Sequence, residues 1–214
     1  MDSLVTAAVA IRDNDYVCFL HINYGQRTEN KELDCFNQLC EHYKPEKSYV
    51  ITMKWLGDIG GSALTDHNIT VKDHDGSKGI PQTYVPFRNA NLIAAAVSWA
   101  EVIKADKIYI GAVEEDSSGY PDCREIFYES MQKTIETGTL NNPPIQIVTP
   151  VIHMNKSGIV KLGAELNVPF EHSWSCYKNN ELACGVCDSC TLRLKAFSNA
   201  GITDPIPYAT KKGL

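Results

Sequence analysis

Residues 16–22 read YVCFLHI and run straight into a short polar loop, NYGQR, at residues 23–27. A run so short, so apolar and so rich in β-branched and aromatic residues fits a strand buried on both faces, as strands of parallel sheets are. Residues 48–53, 107–111 and 145–149 have the same character. Stretches with helical spacing lie between them. Leu33, Phe36, Leu39, Cys40 and Tyr43 recur every three or four positions within residues 28–43. Residues 89–105 form a long Ala-rich stretch, and residues 122–137 and 155–166 continue the alternation. In the last of these Ile159, Leu162, Gly163 and Leu166 make one stripe, with Pro169 beyond its end. Strand and helix in alternation predict an α/β fold with a doubly wound parallel sheet. Ligands of such sheets bind at the carboxyl ends of strands, so chemistry is expected at residues 23–27, 112–124 and 150–155.

Two stretches depart from this pattern. Residues 57–79 hold several Gly, Asp and His and few large apolar residues, and read as a long loop or lid. The chain also opens on an Ala-rich helix, residues 4–11, with no strand before it; Asp2 or Ser3 is the expected cap.

The chain has 214 residues, 20 Lys+Arg against 26 Asp+Glu and a formal charge of −6, with 43% hydrophobic residues. That is enough apolar material for a core and argues against global disorder. The acidic balance argues against a protein that holds nucleic acid by bulk charge. No apolar run reaches the ~18 residues of a membrane helix. No signal peptide is read at the start, and a cytoplasmic protein is expected.

Eight cysteines are many for a reducing compartment, and four of them cluster as Cys176, Cys184, Cys187 and Cys190 in CYKNNELACGVCDSC. Four thiolates in one short segment can surround a tetrahedral Zn2+, and Gly185 permits the tight turn between ligands. With every position filled by protein, the metal is structural. An iron–sulfur cluster is the metal rival. Cys18, Cys35, Cys40 and Cys123 are scattered.

Three other segments carry candidate chemistry. SGYPDCR at residues 118–124 follows the third strand, and a carboxylate and a guanidinium there suit a polar, planar ligand. A turn with Asp122 capping the next helix is the plainer reading. TYVPFRN at residues 83–89 puts Arg88 at a helix start, where the dipole repels a cation. That conflict points to a phosphate or carboxylate clamp. Tyr24 and Gln26, in the NYGQR loop, are placed to touch a nucleotide base, or else form a simple turn.

Taken together, NYGQR, GGSALT (residues 60–65), TYVPFRN, SGYPDCR, TP (149–150), SWSCY (173–177) and CGVCDSC (184–190) resemble, in order and over nearly the whole chain, the 7-cyano-7-deazaguanine (preQ0) synthase family of queuosine biosynthesis. The resemblance implies a Rossmann-like adenine-nucleotide α-hydrolase (PP-loop) sheet in residues 1–172, lacking its first strand, and a C-terminal four-cysteine zinc module and tail in residues 173–214. It implies an ATP- and Mg2+-dependent ligase that joins ammonia to 7-carboxy-7-deazaguanine through adenylated intermediates. One zinc per chain and a homodimer follow from the same resemblance, with neither nucleic acid nor membrane as partner.

The family's pyrophosphate loop reads SGGxDS, and Met1-Asp2-Ser3 matches only its last three positions. An internal start is the reading that fits the intact remaining motifs. By resemblance, Asp2 and Ser3 belong to the phosphate loop and to catalysis, and Tyr24 and Gln26 to the adenosine side. Arg88 stabilises anionic charge in catalysis and substrate binding. Ser118, Tyr120, Asp122 and Arg124 meet the deazaguanine or a dimer partner, Asp122 accepting from its N–H edge. The rivals are a tRNA-thiolation relative of the same fold, disfavoured by the acidic charge and the scattered cysteines, and a zinc-stabilised module that has lost nucleotide chemistry.

Overall fold

A computed structural model describes residues 1–77, 79–114 and 119–209. Helix α1 spans Asp2–Asp13, followed by strand β1 (Cys18–Asn23), α2 (Glu29–Tyr43), β2 (Lys47–Thr52), the short α3 (Trp55–Asp58) and α4 (Arg88–Ile103). Then come β3 (Lys107–Tyr109), a 3-10 turn at Pro121–Cys123, α5 (Glu125–Gly138), β4 (Gln146–Val148), α6 (Lys156–Glu165), a 3-10 turn at Phe170–His172 and α7 (Asp188–Ala200). Each predicted strand and helix has its counterpart, with ends shifted by a few residues.

The strands do not form one sheet. β1 pairs with β2 in parallel, in a register that sets Phe19 opposite Ser48 and Ile22 opposite Ile51. β3 pairs with β4 in parallel, Ile108 opposite Ile147. Among the described residues no ladder joins the two pairs. A cavity of about 1210 Å³ lies between them, walled by both β1 and β3 and by residues of α1 and α4. Each pair is a β–α–β unit, so the predicted alternation holds locally.

The main core gathers Leu4, Val5 and Ala8 of α1 with Ile159 and Val160 of α6, Phe170 and Phe197. The rings of Phe170 and Phe197 meet edge to face at 5.0 Å, a favoured aromatic geometry. Gly163 makes this packing fit: a Cβ there would stand 2.4 Å from the Phe170 ring. A second core sits between α4, α5 and the β3–β4 pair, around Ile93, Ile135 and Ile145.

Helix starts differ from expectation. Neither Asp2 nor Ser3 caps α1; Met1 holds the cap position without a side-chain bond, and Asp2 is the first helical residue. α5 begins at Glu125 with Arg124 at its cap, so Asp122 does not cap it. Asn155 does cap α6, its side chain accepting from the Gly158 N–H at 2.8 Å. α7 starts at Asp188, with Cys187 at its cap position and Cys190 in its first turn. The described part of residues 57–79 is tied down. Arg27 donates to the carbonyls of Ala63, Asp66 and Ile69 at 2.6–2.7 Å. His74 donates its backbone N–H to Val186 at 2.8 Å and pairs through its ring with Asp188.

Candidate functional site

The four clustered cysteines are all buried, and their sulfur atoms lie within 4.8 Å of one another. All eight cysteines are free thiols, so disulfides play no part. Sγ of Cys184 and Sγ of Cys190 stand 3.8 Å apart. A tetrahedron with Zn–S near ~2.3 Å has edges of about 3.8 Å, so the spacing fits a tetrahedral metal. Backbone N–H groups already serve anionic sulfur: Lys178, Asn179 and Cys184 donate to Cys176 Sγ at 3.3–3.4 Å. Cys187 hydrogen-bonds Cys176 and, with Cys190 and these N–H groups, holds the Cys176 thiol far below its usual range. Gly185 takes the left-handed turn, at φ +75. The cluster forms its own small core with Ala63, Val71, Ala183 and Ile206.

A cavity of about 320 Å³ lies at the ends of β3 and α4. Asp2 and Ser3, Arg88, Tyr120, Lys156 and Tyr177 are among its walls. The starts of α1, α4 and α6 line it, each presenting the positive end of a dipole, while the Asn89 N–H of α4 and the Gly158 N–H of α6 are already taken by Asp122 and Asn155. Asp2 Oδ2 accepts a hydrogen bond from Lys156 Nζ at 2.5 Å. Asp2 Oδ1 is buried with no hydrogen-bond partner among the described residues. Gly111 brings the end of β3 against α1; a Cβ there would lie 2.6 Å from the backbone N of Ser3.

Arg88 donates from Nη1 to Tyr24 Oη at 3.2 Å and from Nε and Nη2 to Asn89 Oδ1 at 3.2 Å. Its guanidinium also stacks over the Tyr24 ring at 5.5 Å. Among the described residues no carboxylate forms an ion pair with it. Burial works against its charge, but Tyr24, Tyr177 and Asp122 around it offset this and hold it protonated above the usual range. Such a cation is suited to an incoming anion. Phe87, just before it, is held at φ 55, an uncommon conformation for a bulky residue, with its N–H donating to Tyr84 Oη at 3.1 Å.

Not every expected residue reaches the cavity. Gln26 is buried in its own loop, where Oε1 accepts from the Tyr24 N–H at 2.8 Å and Nε2 donates to Glu32 at 3.1 Å. Tyr24 lines the larger cavity, beside Arg88. Asp122, only 4% exposed, turns to the start of α4, its Oδ2 accepting from the Asn89 N–H at 3.0 Å. The Asn89 side chain returns a bond to the Asp122 carbonyl at 2.9 Å. Arg124 is exposed, and its Nε donates to the nearby Pro121 carbonyl at 3.1 Å. Tyr120 is in place, its hydroxyl 2.8 Å from Thr83 Oγ1 and its ring 5.7 Å from that of Tyr84. Ser118 lies outside the described residues.

Lys156, Cys123, Tyr177, Ser175 and Arg193 line the cavity without having been singled out from the sequence. Lys156 had a legible signal, since it opens the helix that follows the fourth strand. The others belong to turns or to the cysteine module, whose fold local periodicity does not encode.

The model of the queuosine biosynthesis protein QueC family matches residues 1–201. The chain is 56% identical over 212 residues to the 7-cyano-7-deazaguanine synthase of Chlorobaculum parvum, covering 99% of this chain and 93% of that one. It is 54% identical over 212 residues to the protein so named in Chlorobium chlorochromatii, with the same coverage. The protein so named in Chloroherpeton thalassium is 56% identical over 211 residues, covering 97% of this chain and 92% of that one. With a match of this extent across both the cysteine module and the α/β part, the chain belongs to the QueC family of queuosine biosynthesis proteins.

Proposed function

We propose that this chain is a 7-cyano-7-deazaguanine synthase of queuosine biosynthesis, an ATP-dependent carbon–nitrogen ligase acting on 7-carboxy-7-deazaguanine and ammonia. The observation that carries the reading is a cationic cavity at strand ends, with Arg88 free of any ion pair among the described residues and Lys156 beside Asp2, in a chain of this family.

The chemistry explains why such a cavity is needed. A carboxylate is a poor acyl donor because oxide leaves badly. Attack of the carboxylate on the α-phosphorus of ATP gives an acyl adenylate and releases pyrophosphate. Ammonia then displaces AMP and leaves the amide. A second adenylation, now on the amide oxygen, followed by loss of AMP and two N–H protons, gives the nitrile. Each step moves negative charge onto phosphate oxygens, which preorganised cations and N–H donors stabilise. Arg88 and the starts of α1 and α6 are the groups here that face that charge. Ser3, at the start of α1, offers its hydroxyl and N–H to the phosphates. Asp2 Oδ1, a buried carboxylate oxygen without a hydrogen bond, suits a hard divalent cation such as Mg2+, which would supply charge neutralisation.

The other parts of the proposal follow the same frame. The PP-loop reading is supported by the two parallel β–α–β units, whose strands β1 and β3 face a common cavity, as halves of one sheet would. Tyr24, beside Arg88, remains the adenosine contact. Gln26 holds that loop in shape. Tyr120 is the deazaguanine contact, and Asp122 and Arg124 act on it through the turn they build; Ser118 keeps its proposed place at the same ligand. Residues 173–214 form the zinc module, where zinc would act as a crosslink and supply no reaction chemistry. A homodimer is supported by the exposed apolar side chains of Tyr49, Val50 and Trp55 on and after β2. A cytoplasmic site of action fits free thiols. Among the described residues no helix is long and apolar enough to cross a membrane.

The test is AMP release by this chain with 7-carboxy-7-deazaguanine, ammonium and Mg-ATP, with product identity by mass spectrometry. Two AMP per nitrile are expected. AMP release without nitrile, or none at all with substrate present, would sink the assignment.

A further inference from the structure

Tyr177 immediately follows the cysteine Cys176, yet its ring belongs to two places at once. It packs against the four-cysteine core and also against the cluster of Tyr24, Leu56, Leu64 and Val85. It is half-buried and forms part of the wall of the 320 Å³ cavity together with Arg88 and Tyr120. The backbone just after it is held by sulfur: the N–H groups of Lys178 and Asn179 bond Cys176 Sγ at 3.3 and 3.4 Å. Cys176 itself is 1% exposed. The ring therefore has little freedom to leave the cavity while the cysteine cluster is intact.

Tyr120 reaches the same cavity from the other side of the chain, held by Thr83 at 2.8 Å. Two phenol rings and one guanidinium thus meet at one space from three separate elements. Aromatic faces suit a planar heterocycle, because every such ring presents a π-face whatever its edge carries. A guanidinium suits a carboxylate in its plane.

We propose that Tyr177 positions the planar ring of the heterocyclic carboxylate, so that the cysteine module sets substrate affinity as well as stability. This rests on the reading of the cavity given above. The ring of Tyr177 and that of Tyr120 form the flanks, and Arg88 takes the carboxylate end. With the adenosine assigned to Tyr24, the effect is expected to fall on the affinity for the heterocycle.

Tyr177→Leu removes the π-face and Tyr177→Phe keeps it. With KM measured for each substrate separately, Tyr177→Leu is expected to raise KM for 7-carboxy-7-deazaguanine by about tenfold or more, the scale of one lost stacking contact. KM for ATP stays within about twofold, and Tyr177→Phe stays near wild type for both, a split that a purely structural role would not produce. An unchanged KM for the heterocycle in Tyr177→Leu, or equal rises in both KM values, overturns the proposal. If the Leu variant does not fold, Tyr177→Met takes its place, read by equilibrium dialysis. Binding of 7-carboxy-7-deazaguanine is expected to weaken about tenfold while ATP binding stays within about twofold. Equal binding of the heterocycle by the Met variant and wild type overturns the proposal. Loss of the activity reading is a separate outcome, seen as wild-type protein that makes no nitrile while the dialysis result still judges Tyr177.

Discussion

The ammonium of Lys156 lies 2.5 Å from Oδ2 of Asp2, joining the first residues of two helices that are 154 positions apart. Their side chains are only 18% and 24% exposed. Each helix start repels cations and attracts anions, so Lys156 is held against its own helix dipole by Asp2. The pair keeps a cation poised at a place where phosphate is expected. Lys156→Met is predicted to cut kcat/KM for ATP by about 100-fold, the scale of one lost charge-assisted donor in a screened site. Lys156→Arg is predicted to recover part of it. AMP release at varied ATP measures this, and activity unchanged in the Met variant would show that the lysine is only structural.

Gly111 is predicted to be intolerant of any side chain. The atoms that a Cβ would strike are the backbone N and Cα of Ser3, at 2.6 and 2.7 Å, and the carbonyl carbon of Asp2 at 2.8 Å. Backbone cannot rotate away, so Gly111→Ala must push α1 off β3. A loss of roughly 1–3 kcal/mol in urea unfolding is expected, with a larger proportional loss of AMP release because Asp2 and Ser3 move. Full activity in the Ala variant would mean that α1 carries no part of the site.

Arg193 and Asp204 form a doubly hydrogen-bonded pair at 2.8 and 2.9 Å, with side chains 2% and 4% exposed. Arg193 also donates to Ser173 Oγ at 2.8 Å, tying α7 to the segment that leads into the cysteine module. Removing the carboxylate leaves a guanidinium buried without its counter-charge. Asp204→Ala is predicted to cost about 3–5 kcal/mol, read from urea unfolding. A cost below roughly 1 kcal/mol would show that water reaches Arg193.

Metal should be part of the fold. Purified protein is predicted to hold one zinc per chain, and chelation to lower Tm, since a bound metal adds its binding free energy to folding. Cys184→Ser should lose both the zinc and the Tm shift. Iron in place of zinc, with visible absorbance, would identify the rival cluster. An unchanged Tm on chelation would refute the structural metal.

Alkaline pH should unfold the protein in a way that tyrosines control. Burial raises the phenols of Tyr24, Tyr128 and Tyr177 above their ordinary value of 10.0. Tyr208 is raised by burial and by the 2.6 Å bond that it donates to Asp204. A raised folded pKa means that the folded state keeps its proton longer than the unfolded chain. The stability this contributes is complete below the unfolded value and is lost as pH rises from about 10 towards the folded value. Tyr208→Phe is predicted to lose about 1 kcal/mol at neutral pH but to fall less steeply between about pH 9.5 and 11. Parallel slopes for the two proteins would exclude Tyr208 from the alkaline transition.

How far the sequence leads can be judged residue by residue. The periodicities at residues 28–43 and 155–166 correspond to α2 and α6, because an amphipathic stripe is a local signal. The four cysteines are recognisable for the same reason, as spacing alone brings their sulfurs together. Asp122 shows the limit. A turn before a helix suggests a cap for α5, whereas its carboxylate crosses to Asn89 at the start of α4, 33 positions earlier. That choice depends on tertiary packing, which no local pattern contains. The separation of β1–β2 from β3–β4 and the arrival of Tyr177 in the cavity are equally non-local.

The walls of the smaller cavity come from residues around 1–3, 88–92, 110–113, 120–128, 156 and 175–193. A ribosome delivers these in that order, so the last wall emerges when nine-tenths of the chain has already been made. A product that stops between residues 149 and 173 carries both strand pairs and Arg88 yet lacks the wall built from residues 175–193. Premature termination therefore yields fragments without partial activity, and synthesis itself delays catalysis until the cysteine-bearing end has folded.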